Sequence, residues 1–469
     1  MCTRTRNRQR WCRREREPSQ GTAPSCFCVL LRDTCVTILV MATIVHLNRQ
    51  PNLRGYLRPG RSSAGRLKAL IAAGTRPCDG LVLDAALWNR LSDLADAASG
   101  AQIETVLDPR SLELASDGGR TRGAVAGLPW AGTATHTREA LRSRAGRAEL
   151  LGPIADFVAT QRLDAVLTPA HFLETADDEW LDIDDALASE LREALDGLGR
   201  QDALVYRPLY LPSRLLSSRH RFGALLADRF NGTAVDALWL GVHPFGTSSG
   251  PLALRRYVDF CRALHTADLP IVAMHSGTVG VLLMALGAVS AIESGVTDGE
   301  TFDADALTRR PRTPREGEKV IGATPRIYLH TLGAFVTTKE AQAFFAVRGM
   351  TSSHACQAPC CPRGVEDMVS HRIGHFAMRR QAEIDALTRI PAHRRAKVWL
   401  DTELRPASDR AIAAERAHPR LLSVRKRLDE WRRTTSGILE LDSGHPASVA
   451  RGLTGAREGG SPIHMGGDR

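Results

Sequence analysis

The stretch that decides the fold is LPIVAMHSGTVGVLLMALGAVSAIESGV, which spans residues 269–296. It holds two short β-rich apolar runs, PIVAM at 270–274 and VSAIES at 289–294, with a longer helix-compatible stretch between them. A strand, a helix and a second strand in this order place the two strands parallel in one sheet. The stretch therefore predicts one unit of an α/β fold.

The same pattern recurs along most of the chain. Beta-rich runs that end in a polar or charged residue alternate with longer stretches that read as helices. Eight or nine such units are typical of a (β/α)8 TIM-type barrel rather than a doubly wound sheet, and the sequence has no Rossmann or P-loop motif. The remaining runs are TIVHL (43–47), LVLD (81–84), IETVLD (103–108), DAVLT (164–168), ALVYR (203–207), DALWLG (236–241) and RIYLHT (326–331).

Composition and charge narrow the class of protein. The 469 residues are 43% hydrophobic and 24% charged, as in a soluble globular protein, and the net charge of +10 suits an anionic partner. Residues 1–40 carry +5 of that charge, and the apolar run 34–45 is too short to cross a bilayer. We interpret 1–40 as a disordered or mis-started arm with Met41 as the true start, and we expect a cytoplasmic protein with no membrane partner.

The pattern predicts four regions. The arm at 1–40 is followed by a barrel at 41–350, then by a zinc-binding and helical basic segment at 351–436. The Gly- and Ser-rich tail at 437–469 is expected to be disordered.

Polar side chains that follow the strands are the candidate site residues. Active sites of (β/α)8 barrels gather at the carboxyl ends of the strands. A polar residue also ends a strand for purely structural reasons, so the set as a whole is more informative than any member. A ring of histidines and carboxylates is what a polar active site needs. The residues are Asp84, Asp108, His171, Arg207, His243, His275, Glu293 and His330.

The stretch HACQAPCCPRG, residues 354–364, holds three cysteines within six residues. With one histidine, Cys356, Cys360 and Cys361 make the ligand set of a closed, structural zinc site. His371 and His375 lie four apart, on one face of a predicted helix, so either can supply the fourth ligand, and we favour His375. A cysteine cluster without metal is the alternative. A zinc ion with four protein ligands stabilises the fold and takes no part in a reaction.

Three stretches, together with the cysteines and the helix HFAMRRQAEIDAL after them, resemble the tRNA-guanine transglycosylase superfamily. LVLDAALWNRL (81–91) is similar to the family's strand that ends in Asp-Ser-Gly-Gly-Phe-Gln, with Asp84 at the Asp. DALWLGVHPFG (236–246) resembles the family's strand and Gly-Gly-Leu loop, and 269–296 resembles the unit that leads to the nucleophilic Asp. Here Ala85 and Ala86 replace the glycines, and the nucleophile position falls at Ser294, beside Glu293.

The resemblance implies an enzyme that exchanges a base in a nucleic acid. A carboxylate attacks the anomeric carbon of a ribose, the base leaves, and a new base attacks the covalent intermediate. On this basis Glu293 is the candidate nucleophile and Asp84 the candidate base or base-edge acceptor. His243, His275, Arg207 and Asp108 are the candidate substrate-binding residues, and Zn²⁺ is the structural cofactor.

Partners and alternatives complete the expectations. Residues 361–435 hold 17 basic and 10 acidic residues, so this segment is the candidate surface for RNA or DNA, and a homodimer is the candidate assembly. A solvated arginine-rich helix pair is the competing interpretation of the segment. The alternatives for function are a metal-dependent barrel hydrolase that uses His243, His275 and His330, and a non-catalytic nucleic-acid-binding protein.

Overall fold

The computed structural model describes residues 52–217, 221–296, 300–311, 324–442 and 448–453. Eight parallel strands form a closed barrel in which β1 pairs with both β2 and β8, as the (β/α)8 prediction requires. The strands are β1 (Arg54–Arg58), β2 (Gly80–Asp84), β3 (Glu104–Asp108), β4 (Ala165–Leu167), β5 (Leu204–Pro212), β6 (Ala237–His243), β7 (Ile271–Ala273) and β8 (Ala291–Gly295).

A helix follows each strand and covers the outside of the barrel. The long segment between β3 and α3 carries three short helices, Ser111–Leu114, Asp117–Arg120 and Arg138–Arg142. The barrel helices are α1 (Ala64–Ala72), α2 (Trp88–Gly100), α3 (Arg144–Gln161), α4 (Trp180–Gly197), α5 (Phe222–Phe230), α6 (Pro251–Leu264), α7 (Gly277–Ala285) and α8 (Arg372–Thr388).

The segment between β8 and α8 is an insertion into the last unit of the barrel. It contains an antiparallel hairpin of β9 (Arg326–Leu329) and β10 (Ala334–Thr337), then helices Thr338–Ala346, Met350–His354 and Val365–Ser370. The cysteine stretch lies between the last two of these helices. Helix α8 then packs against α1 and β1, which completes the ring of helices.

The carboxyl-terminal segment is helical. It comprises α9 (Ala392–Trp399), a π-helical turn (Leu400–Leu404), α10 (Arg405–Ala417) and α11 (Leu422–Asp442). Residues 448–453 then return to the barrel. The backbone N–H of Ala450 donates to the carbonyl of Gly287, and Leu453, 3% exposed, joins the apolar cluster inside the barrel.

Several predicted boundaries differ from the structure. The first barrel strand is RGYLR, whereas the predicted run at 43–47 and the arm at 1–40 lie outside the described residues. The run at 326–331 forms β9 of the hairpin rather than a barrel strand. The barrel ends with α8 rather than at 350, and the ordered chain extends beyond 437 through α11 and 448–453.

Aromatic and charged side chains fill the barrel interior in layers. Near the amino ends of the strands, Glu104 accepts hydrogen bonds from the hydroxyl groups of Tyr56 (3.1 Å) and Tyr206 (2.6 Å) and pairs with Arg54. Gly80 faces the Tyr56 ring so closely that a Cβ there would lie 2.4 Å from it, so only glycine fits. The interior is therefore packed, and the carboxyl-terminal mouth is where the active sites of (β/α)8 barrel enzymes lie.

Candidate active site at the barrel mouth

Four strands bring charged side chains to the mouth. Arg58, Asp84 and Asp108 are the last residues of β1, β2 and β3, and Glu293 lies two residues before the end of β8. The strands β8, β1, β2 and β3 are consecutive neighbours in the barrel, so these side chains lie on one side of its mouth. The predicted residues Asp84, Asp108 and Glu293 therefore belong to one cluster.

Arg58 joins the carboxylates of Asp108 and Glu293. Its Nη1 pairs with Asp108, and its Nε donates to Glu293 Oε1 at 2.6 Å. The indole N–H of Trp239 donates to Glu293 Oε2 at 2.9 Å, and His275 Nε2 lies 3.6 Å from Oε1. The Glu293 side chain is 0% exposed, so both of its oxygens are held and neither faces solvent.

Arg110 joins two further carboxyl groups. Its Nη1 lies 3.1 Å from Asp84 Oδ2 and its Nη2 lies 2.5 Å from Glu113 Oε1. The backbone N–H of Arg110 also donates to Asp108 Oδ1 at 2.8 Å, which links the two arginine clusters. The backbone of Arg110 is left-handed, with φ of 62°, and this conformation turns the chain back toward the mouth directly after β3.

The carboxyl groups of this cluster differ in proton affinity. Burial raises the pKa of Glu113 to about 7, although the Arg110 guanidinium opposes the increase. For Asp108 and Glu293 burial is again the largest single effect and acts in the same direction, but the charges and hydrogen bonds of their partners, Arg58 first among them, together lower the pKa of both. A carboxyl group with a pKa near 7, beside carboxylates that stay charged, is suited to proton transfer at neutral pH.

Two guanidinium nitrogens at the mouth have no hydrogen-bond partner within the described residues. They are Nη2 of Arg58 and Nε of Arg110, and both atoms are buried. Buried polar groups are normally paired, and leaving one unpaired costs about 1–3 kcal/mol. Both atoms can only donate, so the mouth offers two hydrogen-bond donors to an oxygen or nitrogen acceptor of a substrate.

Residues 300–311, the cover segment, lie over the mouth. Residues Thr301–Phe302 pair antiparallel with Phe245–Gly246, and the Phe302 ring stacks on Tyr210 with centroids 5.5 Å apart. Phe302 is 1% exposed and belongs to the apolar cluster inside the barrel. The cover segment shields the charged cluster from water, and a substrate as large as a nucleotide has to displace it.

The other predicted site residues, apart from His275, lie outside the cluster. His275 joins the cluster through Glu293, whereas His243 lies 3.5 Å from Asp303 of the cover segment. The Arg207 guanidinium points outward to Asp184 and Asp185 of α4, because Arg207 follows the inward-facing Tyr206 on β5. His330 follows β9 in the hairpin and His171 pairs with Asp184.

This placement bears on two expectations. Arg207 is not positioned to bind a substrate at the mouth. The three histidines of the hydrolase hypothesis, His243, His275 and His330, do not share a ligand cluster among the described residues.

Three residues of the cluster were missed by the sequence analysis: Arg58, Arg110 and Glu113. Arg58 ends the strand that was not recognised, and its only sequence signal is the Pro59-Gly60 pair after it. Arg110 and Glu113 follow the carboxyl end of β3 by two and five residues, in DPRSLEL. A search extended one turn beyond each strand end would have included both.

The cysteine stretch forms a site that can hold a metal ion. The ligand atoms of Cys356, Cys360, Cys361 and His375 all lie within 4.8 Å of one another. Cys356 Sγ lies 3.7 Å from Cys360 Sγ, and His375 Nδ1 lies 3.2 Å from Cys361 Sγ and 4.0 Å from Cys360 Sγ. Ligands in a tetrahedron around zinc lie about 3.8 Å apart, so the four residues fit that ion.

The structure also distinguishes the two candidate histidines. His375 Nε2 lies 2.8 Å from the carbonyl oxygen of Tyr328, a contact that orients Nδ1 toward the sulfurs, as is usual for metal-binding histidines. His371 is exposed and lies beside Asp367. His354 forms a hydrogen bond with the Thr331 hydroxyl and is not part of the cluster. Within the described residues, His375 is therefore the histidine that completes this cluster.

Part of the basic segment 361–435 is neutralised internally. Arg363 pairs with Asp367 and Arg425 with Glu415, while Arg380 and Arg395 are buried. Five exposed basic residues form no ion pair with the described part of the chain: Arg389, Arg394, Arg416, Lys426 and Arg433. None of the helices within the described residues has the length and apolarity that crossing a membrane requires.

Comparisons with known proteins give no family. No family model and no curated protein matches the chain. Among solved structures, xylanase B from Clostridium stercorarium F9 has a TM-score of 0.31 at 11% identity, covering 53% of this chain and 87% of that one. An HpcH/HpaI aldolase from Desulfitobacterium hafniense DCB-2 has a TM-score of 0.30 at 10% identity, covering 57% and 92%. Nothing about activity follows from these similarities.

Proposed function

We propose that this protein is a glycosyl-transferring enzyme that exchanges the base of a nucleoside within RNA or DNA. The observation that carries the proposal is the position of Asp84 and Glu113 on the two amino groups of one guanidinium, that of Arg110. One guanidinium therefore joins two carboxyl groups at the mouth, and a pair of carboxyl groups about 5 to 9.5 Å apart is what most glycosidases use to cleave glycosidic bonds. Burial raises the pKa of Glu113 to about 7, as a residue that acts as the acid requires.

The two residues have complementary roles. Asp84 has the most exposed side chain of the four carboxyl groups, at 13%, and its carboxylate attacks the anomeric carbon. Glu113, whose pKa of about 7 keeps a large share of the molecules protonated at neutral pH, gives its proton to the departing base as the carbon–nitrogen bond breaks. The incoming base then attacks the same carbon, releases Asp84 and returns a proton to Glu113. Asp84 therefore takes the role of nucleophile that the sequence analysis gave to Glu293.

Glu293 is a positioning residue in this scheme. Its Oε1 orients Arg58 while its Oε2 accepts from Trp239, and Arg58 in turn orients Asp108. The free Nη2 of Arg58 and the free Nε of Arg110 then donate to acceptors on the sugar or the base. The cover segment has to move to admit the nucleoside, and its return over the occupied mouth would exclude water and favour transfer to a second base over hydrolysis.

The rest of the architecture supports the same proposal. The barrel, the Cys3His cluster and the following helix are the features on which the resemblance to tRNA-guanine transglycosylases rests, and the cluster fits zinc. A zinc ion held by four protein ligands supplies a cross-link and no reaction chemistry. The exposed basic residues of 361–435 provide charge for the phosphates of the nucleic acid. A homodimer remains a prediction.

Exchange of radiolabelled guanine into tRNA and into duplex DNA tests the proposal. We expect incorporation by the full chain, none by Asp84→Asn, and a decrease of about 10²- to 10⁴-fold in Glu113→Gln. Asp93→Asn and Glu139→Gln are the matched controls, because both residues are exposed and lie on helices outside the mouth. Full exchange by Asp84→Asn contradicts the proposal, and nucleic-acid binding without any exchange favours the non-catalytic alternative.

A further inference from the structure

A cavity separate from the barrel mouth lies between the β9–β10 hairpin, α8 and the carboxyl-terminal helices. Its volume is about 170 Å³, and none of the charged residues of the mouth lines it. The apolar part of its wall comes from α8, the π-helical turn and α9 to α11. These apolar residues include Leu332, Leu387, Ile390, Trp399, Leu404 and Trp431.

The polar part of the wall has unused hydrogen-bond donors. Nε of Arg379, Nε of Arg410 and the indole N–H of Trp431 are buried and have no partner within the described residues, and His330 Nδ1 is also unpaired. Trp431 is 2% exposed and is one of the residues that line the cavity. The two Nε atoms and the indole can only donate, so what occupies the cavity has to accept hydrogen bonds.

The charge around the cavity is positive. Arg379 and Arg410 line it, Arg427 lies over the Trp431 ring at 5.0 Å, and Arg380 lies behind Tyr328 at 5.2 Å. Two carboxyl groups also line the cavity. Glu383 accepts a hydrogen bond from the Tyr328 hydroxyl at 2.9 Å and pairs with Arg380 at 3.2 Å. Glu403 is then the lining carboxyl group that remains to balance the positive charges of the other arginines. An anionic acceptor would be stabilised here, and a cationic ligand would not.

The volume limits the ligand to about one ring. A cavity of about 150 Å³ accommodates benzene, so this one holds a six-membered ring with one small substituent. We propose that the cavity is a binding site for a small cyclic anion, a ring with one carboxylate or phosphate group. The ring packs against Trp399 and the leucines, and the anionic oxygens accept from Arg379, Arg410 and Trp431. This inference concerns a second site and does not depend on the reaction proposed for the mouth.

Titration calorimetry of the full chain tests the proposal with four probes: benzoate, phenyl phosphate, benzyl alcohol and benzamidine. We expect benzoate or phenyl phosphate to bind, benzyl alcohol to bind more weakly, and benzamidine to show no binding. The stronger of the two anions identifies the substituent. Arg379→Gln should weaken binding about tenfold or more, the usual contribution of one charge-assisted hydrogen bond. Ala386→Leu, which places a larger side chain in the cavity, should abolish it.

Arg90→Gln on α2 is the matched control. Arg90 is exposed, and neither it nor any other residue of α2 lines the cavity. Circular dichroism and the thermal unfolding midpoint show that each variant is folded before titration. Three results overturn the proposal: no binding of either anion by the wild type, binding of benzamidine as strong as that of benzoate, or binding that Ala386→Leu leaves intact. A crystal soaked with benzoate that shows only water in the cavity overturns it as well.

Discussion

The raised proton affinity of Glu113 makes a prediction about stability as well as about catalysis. The unfolded chain releases the Glu113 proton near its ordinary pKa of 4.5, whereas burial raises the pKa in the folded protein to about 7. Between these values the folded state binds more protons than the unfolded state, so the free energy of unfolding decreases as pH rises. The difference corresponds to about 3 kcal/mol, reached above pH 7.

Glu113→Gln removes this proton from both states. The free energy of unfolding of the variant minus that of the wild type should therefore rise by about 3 kcal/mol between pH 4.5 and about pH 8. A glutamine keeps a hydrogen bond to Arg110, so much of the local geometry should persist. The variant would be at its most stable, relative to the wild type, where the enzyme is expected to work.

Urea unfolding at a series of pH values measures this difference. The control is Glu139→Gln, an exposed glutamate on a short helix outside the cluster, for which the difference should stay flat. A profile for Glu113→Gln that runs parallel to the wild type over the whole range would refute the reasoning. It would mean that Glu113 is charged in the folded protein and cannot act as the acid.

The arginine network, the cysteine cluster and the cover segment each make a further prediction. Arg58→Met leaves the carboxylates of Asp108 and Glu293 without their shared counter-charge, so the free energy of unfolding in urea should fall by about 3–5 kcal/mol. A fall of less than about 1 kcal/mol contradicts the network. Metal analysis should find one zinc per chain, and His375→Ala should release it and lower the thermal midpoint; a metal-free wild type contradicts the zinc site. Phe302→Ala removes the ring stacked inside the mouth, so amides of the cover segment should exchange faster, and unchanged exchange shows that the ring does not anchor it.

Local pattern was sufficient to predict most of the barrel. Seven predicted runs overlap β2 to β8, because their apolar residues are contiguous and strand-like. The first strand, RGYLR, escaped because Arg54 and Arg58 face the barrel interior. Such buried charges are tolerated only because Glu104, Asp108 and Glu293 on other strands form ion pairs with them. A single sequence does not show which residues of distant strands pair.

The site was predictable to the same limited degree. The strand-end rule brought together Asp84, Asp108, His275 and Glu293, which the structure connects through Arg58 and Arg110. It could not tell inward from outward side chains, so Arg207 was assigned to the mouth although α4 provides its partners. Nor could it assign roles, because those depend on burial: Glu293 is enclosed, and Asp84 keeps some exposure.

The cysteine cluster was easier to predict from the sequence than the residues of the mouth. Three thiols within six residues and two histidines four apart already specify a ligand set, and the structure chooses His375 because it lies on the buried face of α8. The position of this cluster between β8 and α8, rather than after the barrel, could be recognised only from the topology of the folded chain. The sequence shows a cluster, and the fold shows that it supports the last helix of the barrel.

The most direct test of the central claim is to locate the covalent intermediate. The enzyme is incubated with tRNA or duplex DNA in the absence of an incoming base, denatured and digested, and the peptide that carries the sugar is identified by mass spectrometry. The arrangement at the mouth predicts an adduct on Asp84, in the peptide that contains the carboxyl end of β2. An adduct on Glu293 would contradict that assignment, and the absence of any adduct with an active enzyme would contradict the double-displacement scheme itself.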